Sequence, residues 1–215
     1  MAIKVEKFTF NGFQENTYVI HDGEVCVIID PGCYERHEQS ELSDFISSNN
    51  LSPAAVLMTH SHIDHALGLD YVLKTYSVDF YQHTIDVETL SSIPSYAHVY
   101  GFPGYSAPSR SATHLLSGGE TLTFGEMTFE VLFTPGHAPG HVVFHDKLNN
   151  YVINGDVLFK GSFGRVDLPG GSMEVLKKTI IETMFELPEE TIIYCGHGPE
   201  TTIGEEKRTN FILTQ

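Results

Sequence analysis

The amino-acid sequence predicts an α/β fold, a four-layer α/β/β/α sandwich in which two β-sheets are each covered by helices. Two observations predict it. Each half of the chain begins with strand-like alternation and continues with helical periodicity. The 215 residues are enough for one compact domain but few for two separately buried cores. We therefore expect a single domain over residues 1–215, built from two strand-and-helix halves.

The first half is predicted to begin as an antiparallel meander. Residues 3–10 alternate polar and apolar side chains, and Asn11-Gly12 and Asp22-Gly23 are turn signals. The other elements expected in this half are strands over 17–21, 24–30, 54–58 and 78–81 and helices over 34–49, 66–73 and 84–90.

Residues 91–111 are dense in Ser, Pro, Gly and Tyr, so we expect a long ordered loop or lid without a helix or strand period. Strand alternation resumes at Thr113. The elements expected in the second half are strands over 121–124, 127–133, 142–145, 151–154 and 191–194, a helix capped by Ser172 and closed by Pro188, and a final helix near 205–213.

Composition excludes several classes of protein. With 41% hydrophobic and 19% charged residues, the chain is neither disordered nor a coiled coil. Its longest purely apolar run, Val25–Ile29, is far shorter than the roughly 20 residues of a membrane-spanning helix. A formal charge of −16 disfavours nucleic acid and anionic membranes as partners. Three cysteines without paired spacing and no signal-peptide pattern predict a cytoplasmic protein.

A dense group of metal-ligand side chains follows the strand predicted over 54–58. The segment His60-x-His62-x-Asp64-His65 places three imidazoles and a carboxylate within six residues. Packing alone does not require four such side chains at this spacing, and on a loop several can point into one pocket. The segment therefore predicts a metal site.

Three further candidate ligands each follow a predicted strand and have a glycine neighbour. They are His137, Asp156 and His197. Glycine lets the backbone bring a short side chain close to an ion. Together with the first group they make seven ligands, more than one four-coordinate ion needs, so the sequence indicates two metal ions. His141, four residues after His137, is expected to begin a strand or to support a ligand.

These signatures resemble the metallo-β-lactamase superfamily, and the resemblance covers essentially the whole chain. Asp156 after a strand, the loop over 159–171 with Gly164-Arg165, and Tyr194-Cys195-Gly196-His197 resemble its glyoxalase II branch, the hydroxyacylglutathione hydrolases. The resemblance implies the metallo-β-lactamase fold. It also leads us to expect a chain that lacks the C-terminal helical domain of full-length glyoxalase II proteins.

The resemblance further implies a ligand set and a reaction. The reaction is hydrolysis of a thioester such as S-lactoylglutathione, in which a hydroxide between two divalent ions attacks the carbonyl and Asp64 also orients this nucleophile. Zinc is the expected metal, and iron or manganese would also suit imidazole and carboxylate ligands. The implied ligands are His60, His62 and His137 for one ion, Asp64, His65 and His197 for the other, and Asp156 as the bridge.

Four residues outside the ligand set are candidates for supporting roles. Arg165, Lys160 and Tyr194 are expected to contact the substrate, although Arg165 could instead form a surface ion pair with Asp167. Asp30, in Asp30-Pro31-Gly32, is either a turn residue or a carboxylate that orients a metal-binding histidine.

Two functions remain open at this point, and others are disfavoured. The alternative to a thioester hydrolase is a persulfide dioxygenase, a similar branch that uses a single iron held by two histidines and one aspartate. A β-lactamase is less favoured, because Asp156 as a bridging carboxylate is the hydrolase pattern. A binding module does not need the complete ligand set, and a nuclease would need a basic face. The expected partner is a small-molecule thioester, and the oligomeric state is left open.

Overall fold

The computed structural model describes residues 2–215 and shows two compact units. One comprises the chain up to Leu116 together with Thr123–Met127, and the other comprises Ser117–Leu122 together with Thr128–Gln215. Each unit is built around a six-stranded mixed sheet. The expected single domain over residues 1–215 stays a prediction. No helix within residues 2–215 is long and apolar enough to cross a membrane.

The sheet of the first unit has the strand order β1-β2-β3-β4-β5-β6. Its first three strands are antiparallel, as the turn signals predicted, and β3 to β6 run parallel. The strands are β1 (Lys4–Phe10), β2 (Glu15–His21), β3 (Val25–Ile29), β4 (Ser52–Leu57), β5 (Asp79–His83) and β6 (His114–Leu116).

Helices cover one face of this sheet. Leu42 of the first helix and Val72 of the third share a buried core with Val19, Ile28 and Val56, which come from three neighbouring strands. Each of these residues is fully buried, so this core lies between the helices and the sheet. The helices are α1 (Arg36–Ser48), α2 (Ile63–Ala66), α3 (Leu69–Tyr76) and α4 (Asp86–Tyr96).

The prediction that no helix continues beyond residue 91 is wrong, because α4 extends to Tyr96. Leu90, Ile93 and Ala97 are buried at helical spacing on one side. The serine hydroxyls that suggested a loop donate back to helix carbonyls: Ser91 to Val87, Ser92 to Thr89 and Ser95 to Ser92. Such bonds let serine remain in a helix although it usually favours turns.

The helix predicted over 66–73 is divided into α2 and α3 by a close backbone approach at Gly68. The amide of Gly68 donates to the carbonyl of Pro31 at 2.7 Å. A Cβ at Gly68 would lie only 2.4 Å from Sγ of Cys33. The chain must therefore change direction here to pack against residues 31–33.

The sheet of the second unit has the strand order β14-β13-β10-β9-β8-β7. A separate two-stranded hairpin is formed by β11 (Leu158–Phe159) and β12 (Ser162–Phe163). Strands of two residues show no alternation, so neither this hairpin nor β14 was predicted. The sheet strands are β7 (Thr121–Phe124), β8 (Met127–Phe133), β9 (Val142–Asp146), β10 (Tyr151–Gly155), β13 (Ile192–Cys195) and β14 (Thr201–Thr202).

Two helices, α5 (Met173–Glu182) and α6 (Ile203–Thr209), pack on this sheet. Short 3₁₀ turns follow each of them, at Met184–Glu186 and Phe211–Thr214. Helix α5 begins where predicted, because the hydroxyl of Ser172 accepts a hydrogen bond from the amide of Val175. The buried core of this face is formed by Leu176, Ile180 and Ile203 from the helices and by Val152 and Ile193 from the strands.

Candidate metal centre

In the first unit, the predicted ligands of segment 60–65 lie at the carboxyl end of β4 and in α2. The ring centroid of His60 is 4.7 Å from that of His62 and 4.2 Å from that of His65. Oδ2 of Asp64 lies 3.7 Å from Nε2 of His65. The structure thus brings the four side chains of this segment together.

Two features of the fold hold this segment in place. His62 is the N-cap of α2, so the following turn of helix carries Asp64 and His65. The backbone amide of Ser61 donates to the buried carboxylate of Asp86, the first residue of α4, at 2.6 Å. The sequence did not point to Asp86, because nothing in its spacing relates it to the histidine segment.

Asp30 lies at the carboxyl end of β3, the parallel neighbour of β4, and contacts His65. Its Oδ2 is 3.2 Å from Nδ1 of His65, which donates because a carboxylate oxygen accepts. The same carboxylate accepts from the amide and the hydroxyl of Thr59, at 2.7 and 2.5 Å. This geometry selects the tautomer of His65 that carries its lone pair on Nε2.

Glu15, at the start of β2, is a second carboxylate near His65 that the sequence did not single out. It is fully buried, and its Oε1 lies 3.8 Å from Nδ1 of His65. Its Oε2 accepts from the hydroxyl of Thr17 at 2.9 Å. Burial raises the pKa of Glu15 well above its usual value, and the interaction with the nearby His65 ring opposes that shift. A single acidic residue at a strand start carries no sequence signal for such a role.

The donor atoms of this unit fit a metal ion. Asp30, His60 and His65 each have a nitrogen or oxygen atom within 4.8 Å of the others, and Asp30 contributes by holding the His65 ring through its hydrogen bond. Two ligands held about 2.1 Å from a tetrahedral zinc ion are about 3.4 Å apart. The separation of 3.7 Å between Asp64 and His65 is close to that value.

In the second unit, strand direction brings the three remaining predicted ligands to one edge of the sheet. β8 and β10 are both antiparallel to β9, and β13 is parallel to β10. The carboxyl ends of β8, β10 and β13 therefore lie at the same edge. His137, Asp156 and His197 follow these three ends in that order.

A single oxygen of Asp156 lies at the same distance from two imidazoles. Its Oδ2 is 3.6 Å from Nε2 of His137 and 3.6 Å from Nε2 of His197. This distance is too long for a hydrogen bond but close to the separation of two ligands on one ion. The geometry fits a carboxylate that shares an ion with each histidine.

The backbone around Asp156 and His137 is packed against neighbouring segments. Nδ1 of His137 donates to the carbonyl of Arg165 at 2.7 Å, which leaves the lone pair on Nε2. A Cβ on Gly164 would lie 2.0 Å from the carbonyl oxygen of Asp156 and 2.9 Å from Nδ1 of His137. Only glycine fits at that position. Gly136, with φ +134°, likewise lets α5 approach the backbone beside His137.

His141 supports the backbone of Asp156. Its Nε2 accepts from the amide of Asp156 at 3.1 Å, so Nδ1 carries the proton and contacts the hydroxyl of Thr134 at 3.1 Å. Both ring nitrogens are engaged by protein groups, and the ring is fully buried.

The three residues expected to contact the substrate have different surroundings. Both carboxylate oxygens of Asp167 accept from the Arg165 guanidinium, at 2.6 and 2.7 Å, and these bonds lower the pKa of Asp167 to about 2. Lys160 is exposed between β11 and β12. Tyr194 is half-buried in β13 and packs edge-to-face on Tyr151, with ring centroids 5.7 Å apart.

Comparison with known proteins finds similarity over nearly the whole chain. The family described as "Metallo-beta-lactamase superfamily" matches residues 10–197. A "Probable metallo-hydrolase YqgX" of Bacillus subtilis is 36% identical over 214 residues, with 98% of each chain covered. A "Hydroxyacylglutathione hydrolase GloC" of Haemophilus influenzae is 34% identical over 215 residues, again covering 98% of each.

Two solved structures have closely similar folds. The "BLEG-1 B3 metallo-beta-lactamase" superposes with a TM-score of 0.89 at 36% identity, covering 99% of this chain and 100% of that one. The protein TTHA1623, solved "in a di-iron-bound form", gives a TM-score of 0.86 at 36% identity, covering 96% of this chain and 99% of that one. The predicted fold class is therefore confirmed.

Proposed function

The chain belongs to the metallo-beta-lactamase superfamily, and we propose that it is a binuclear metal-dependent hydrolase of thioesters such as S-lactoylglutathione. Members of this superfamily are mostly metal-dependent hydrolases. The resemblance drawn from the sequence motifs is correct at this level.

The observation that carries the proposal is the position of Asp156. Its Oδ2 lies 3.6 Å from a nitrogen of His137 and 3.6 Å from a nitrogen of His197, so it is placed to share an ion with each of them, and this supports its assignment as the bridge. We assign the ligands as the sequence resemblance implied: His60, His62 and His137 for one ion, Asp64, His65 and His197 for the other, and Asp156 for both.

The donor set does not select one metal. Imidazole and carboxylate ligands suit zinc, iron and manganese. One similar protein of 36% identity was solved with two irons. We therefore propose two zinc or iron ions. When bound, they would acidify a shared water molecule and polarise the substrate carbonyl.

Residues of the chain orient the histidine ligands and accept a hydrogen bond from the attacking water. Asp30 and the carbonyl of Arg165 fix the tautomers of His65 and His137, so that each ring directs a lone pair from Nε2. The side chain of Asp64 is 14% exposed, so water can reach its carboxylate. We assign Asp64 the additional role of accepting a hydrogen bond from the attacking water.

A thioester whose thiol carrier bears carboxylates is favoured as substrate by similarity to a relative and by local charge. The Haemophilus influenzae relative is named a hydroxyacylglutathione hydrolase. On a chain with formal charge −16, Lys160 and Arg165 follow Asp156 closely in sequence and offer cations for the carboxylates of the thiol carrier. Because Asp167 already occupies the Arg165 guanidinium, we propose weak binding of S-lactoylglutathione.

The test combines metal analysis with a substrate panel on one sample. The protein is purified without added metal, its zinc, iron and manganese are counted, and S-lactoylglutathione and other acyl thioesters are assayed. We expect about two ions per chain and thioester hydrolysis that Asp156→Asn abolishes. One iron per chain, oxygen consumption with glutathione persulfide and no thioester cleavage would overturn the proposal in favour of a persulfide dioxygenase.

A second candidate function is β-lactam hydrolysis, because a solved structure named a B3 metallo-beta-lactamase is 36% identical over the whole chain. The same panel therefore includes a chromogenic cephalosporin. We expect a much lower kcat/KM on it than on S-lactoylglutathione. The reverse order would assign β-lactams as the substrate.

A further inference from the structure

The small hairpin of β11 and β12 begins two residues after Asp156 and has little stability of its own. Its strands pair only through Leu158 with Phe163 and Phe159 with Ser162. An isolated two-stranded hairpin is marginal in water even when it is longer. Its position must therefore be fixed by other parts of the chain.

Helix α6 and the residues directly after it hold this hairpin through hydrogen bonds to the hairpin backbone. The Asn210 side-chain amide donates to the carbonyls of Ser162 and Phe159, at 2.7 and 3.3 Å. The amide of Gly161 donates to Oε2 of Glu206 at 2.9 Å. In addition, the amide of Phe211 donates to the carbonyl of Gly161 at 3.3 Å.

Glu206 and Asn210, which we call the C-terminal clamp, are almost completely buried. The Glu206 carboxylate also accepts from the Asn210 amide at 2.6 Å and from the Thr201 hydroxyl at 2.5 Å. Burying a carboxylate is costly unless donors surround it. A helix of seven residues does not need a buried carboxylate for its own stability, and several of the bonds in this network go to the hairpin.

The hairpin and the residue after it also contact candidate ligands of the same unit. The ring of Phe159 packs edge-on against the ring of His197, with centroids 6.0 Å apart and planes at 81°. Gly164, directly after β12, is packed against Asp156 and His137. The hairpin thus lies between the C-terminal clamp and three proposed ligands.

We propose that Glu206 and Asn210 are positioning residues, which hold the hairpin so that Phe159 orients the His197 ring and Lys160 is presented to the substrate. The roles of His197 as a metal ligand and of Lys160 as a substrate contact rest on the proposed function. Its structural part, that the clamp sets the orientation of His197 through Phe159, involves only groups of the second unit.

The experiment compares Asn210→Ala and Glu206→Gln with Thr209→Ala, an exposed position at the end of the same helix. The first readout is hydrogen exchange over residues 158–163. The second is the His197 ring signal in proton–carbon NMR of metal-free protein. The third is the rate at which a chelator removes each ion, and the fourth is KM and kcat on a cleaved thioester.

We expect Asn210→Ala to speed hairpin exchange by about tenfold or more while core exchange is unchanged. It should also shift the His197 signal, release one ion about tenfold faster and raise KM more than it lowers kcat. Glu206→Gln keeps the size and one acceptor, so smaller changes in the same direction are expected. Thr209→Ala should match the wild type.

A variant that loses its fold would be replaced by Asn210→Ser or Glu206→Asp, whose shorter side chains weaken the same hydrogen bonds. Phe159→Leu, which leaves the clamp intact, should shift the His197 signal, and an unchanged signal would overturn the proposal. Faster hairpin exchange with an unchanged His197 signal would overturn the proposal, and so would unchanged exchange in Asn210→Ala. If the wild type cleaves no thioester, the proposed function fails, while exchange and NMR still decide for or against the clamp.

Discussion

One histidine in each unit is oriented by the same kind of hydrogen bond, from its Nδ1 to an oxygen acceptor. Nδ1 of His65 donates to the Asp30 carboxylate, and Nδ1 of His137 donates to the backbone carbonyl of Arg165. In each case the acceptor fixes the tautomer and the ring plane before any ion binds. Oriented ligands lose less freedom on binding an ion, and loss of such supporting partners typically weakens metal affinity by about 10- to 100-fold.

Asp156→Ala should release more metal than His65→Ala. In the proposed site, Asp156 binds both ions, whereas His65 binds only one. Elemental analysis of the purified variants should give close to no metal for Asp156→Ala and about one ion per chain for His65→Ala. The exposed His98→Ala is the matched control and should keep the wild-type content. Two ions retained in Asp156→Ala would refute the bridge.

Gly164→Ala should destabilise the protein although its backbone conformation is ordinary. The added methyl would lie 2.0 Å from the carbonyl oxygen of Asp156, so backbone must move. The expected loss in free energy of unfolding is about 1–3 kcal/mol, measured by urea denaturation of metal-free protein. Gly12→Ala is the control, because nothing lies within 4 Å of its Cβ position. Equal stability of the two variants would contradict the packing argument.

Arg165→Ala and Asp167→Asn should change KM in opposite directions. Removing the guanidinium removes the contact that we propose with the substrate carboxylate, which should raise KM by about two- to fivefold with little change in kcat. Removing the charge of Asp167 releases Arg165 from its ion pair and should lower KM. Steady-state kinetics on the best thioester measure both. If both variants leave KM unchanged, Arg165 does not contact the substrate.

At this scale, sequence reasoning could find residues whose chemistry is concentrated along the chain. Segment 60–65 stood out because four potential ligand residues fall within six positions. Glu15 and Asp86 did not, because their roles depend on a strand and a helix that pack against that segment. Local spacing carries no record of such long-range contacts.

At the scale of elements, the direction of each strand decides at which edge of the sheet its candidate ligand lies. In the second unit, the carboxyl ends of three strands meet at one edge, and a candidate ligand follows each of them. The strands were predictable because their alternation spans four or more residues. The β11–β12 hairpin was not, because its stability comes from Glu206 and Asn210 and not from its own pattern.

Replacement by alanine should change the free energy of unfolding differently at Ser172 and at Ser95, because the two serines occupy different helix positions. Ser172→Ala removes the N-cap acceptor of α5 and should lower the free energy of unfolding by about 0.5–2 kcal/mol. Ser95→Ala lies inside α4, where alanine has the better helix propensity, so stability should be unchanged or slightly raised. Urea denaturation of both metal-free variants makes the comparison. A loss at Ser95 as large as at Ser172 would contradict these assignments.

At the scale of the whole molecule, net charge and metal binding are linked. The chain carries a formal charge of −16, and two divalent ions add +4, which leaves −12. The two ions would relieve repulsion among the carboxylates of the proposed metal site. General screening by salt would relieve repulsion everywhere on the surface. These two effects can be separated by experiment.

Removal of metal should lower the melting temperature, and added salt should recover only a small part of that loss. An ion present at about 1,000 times its dissociation constant stabilises the folded state by about 4 kcal/mol. For a chain of this size that corresponds to a shift on the order of 10 °C in calorimetry. Zinc or iron added back should recover the shift, whereas magnesium or 0.5 M sodium chloride should recover little of it. Metal-free Asp156→Ala should gain little on adding zinc, because the bridging ligand is missing. Equal recovery by magnesium and zinc in the wild type would mean that charge neutralisation, and not coordination by histidine and aspartate, accounts for the stabilisation.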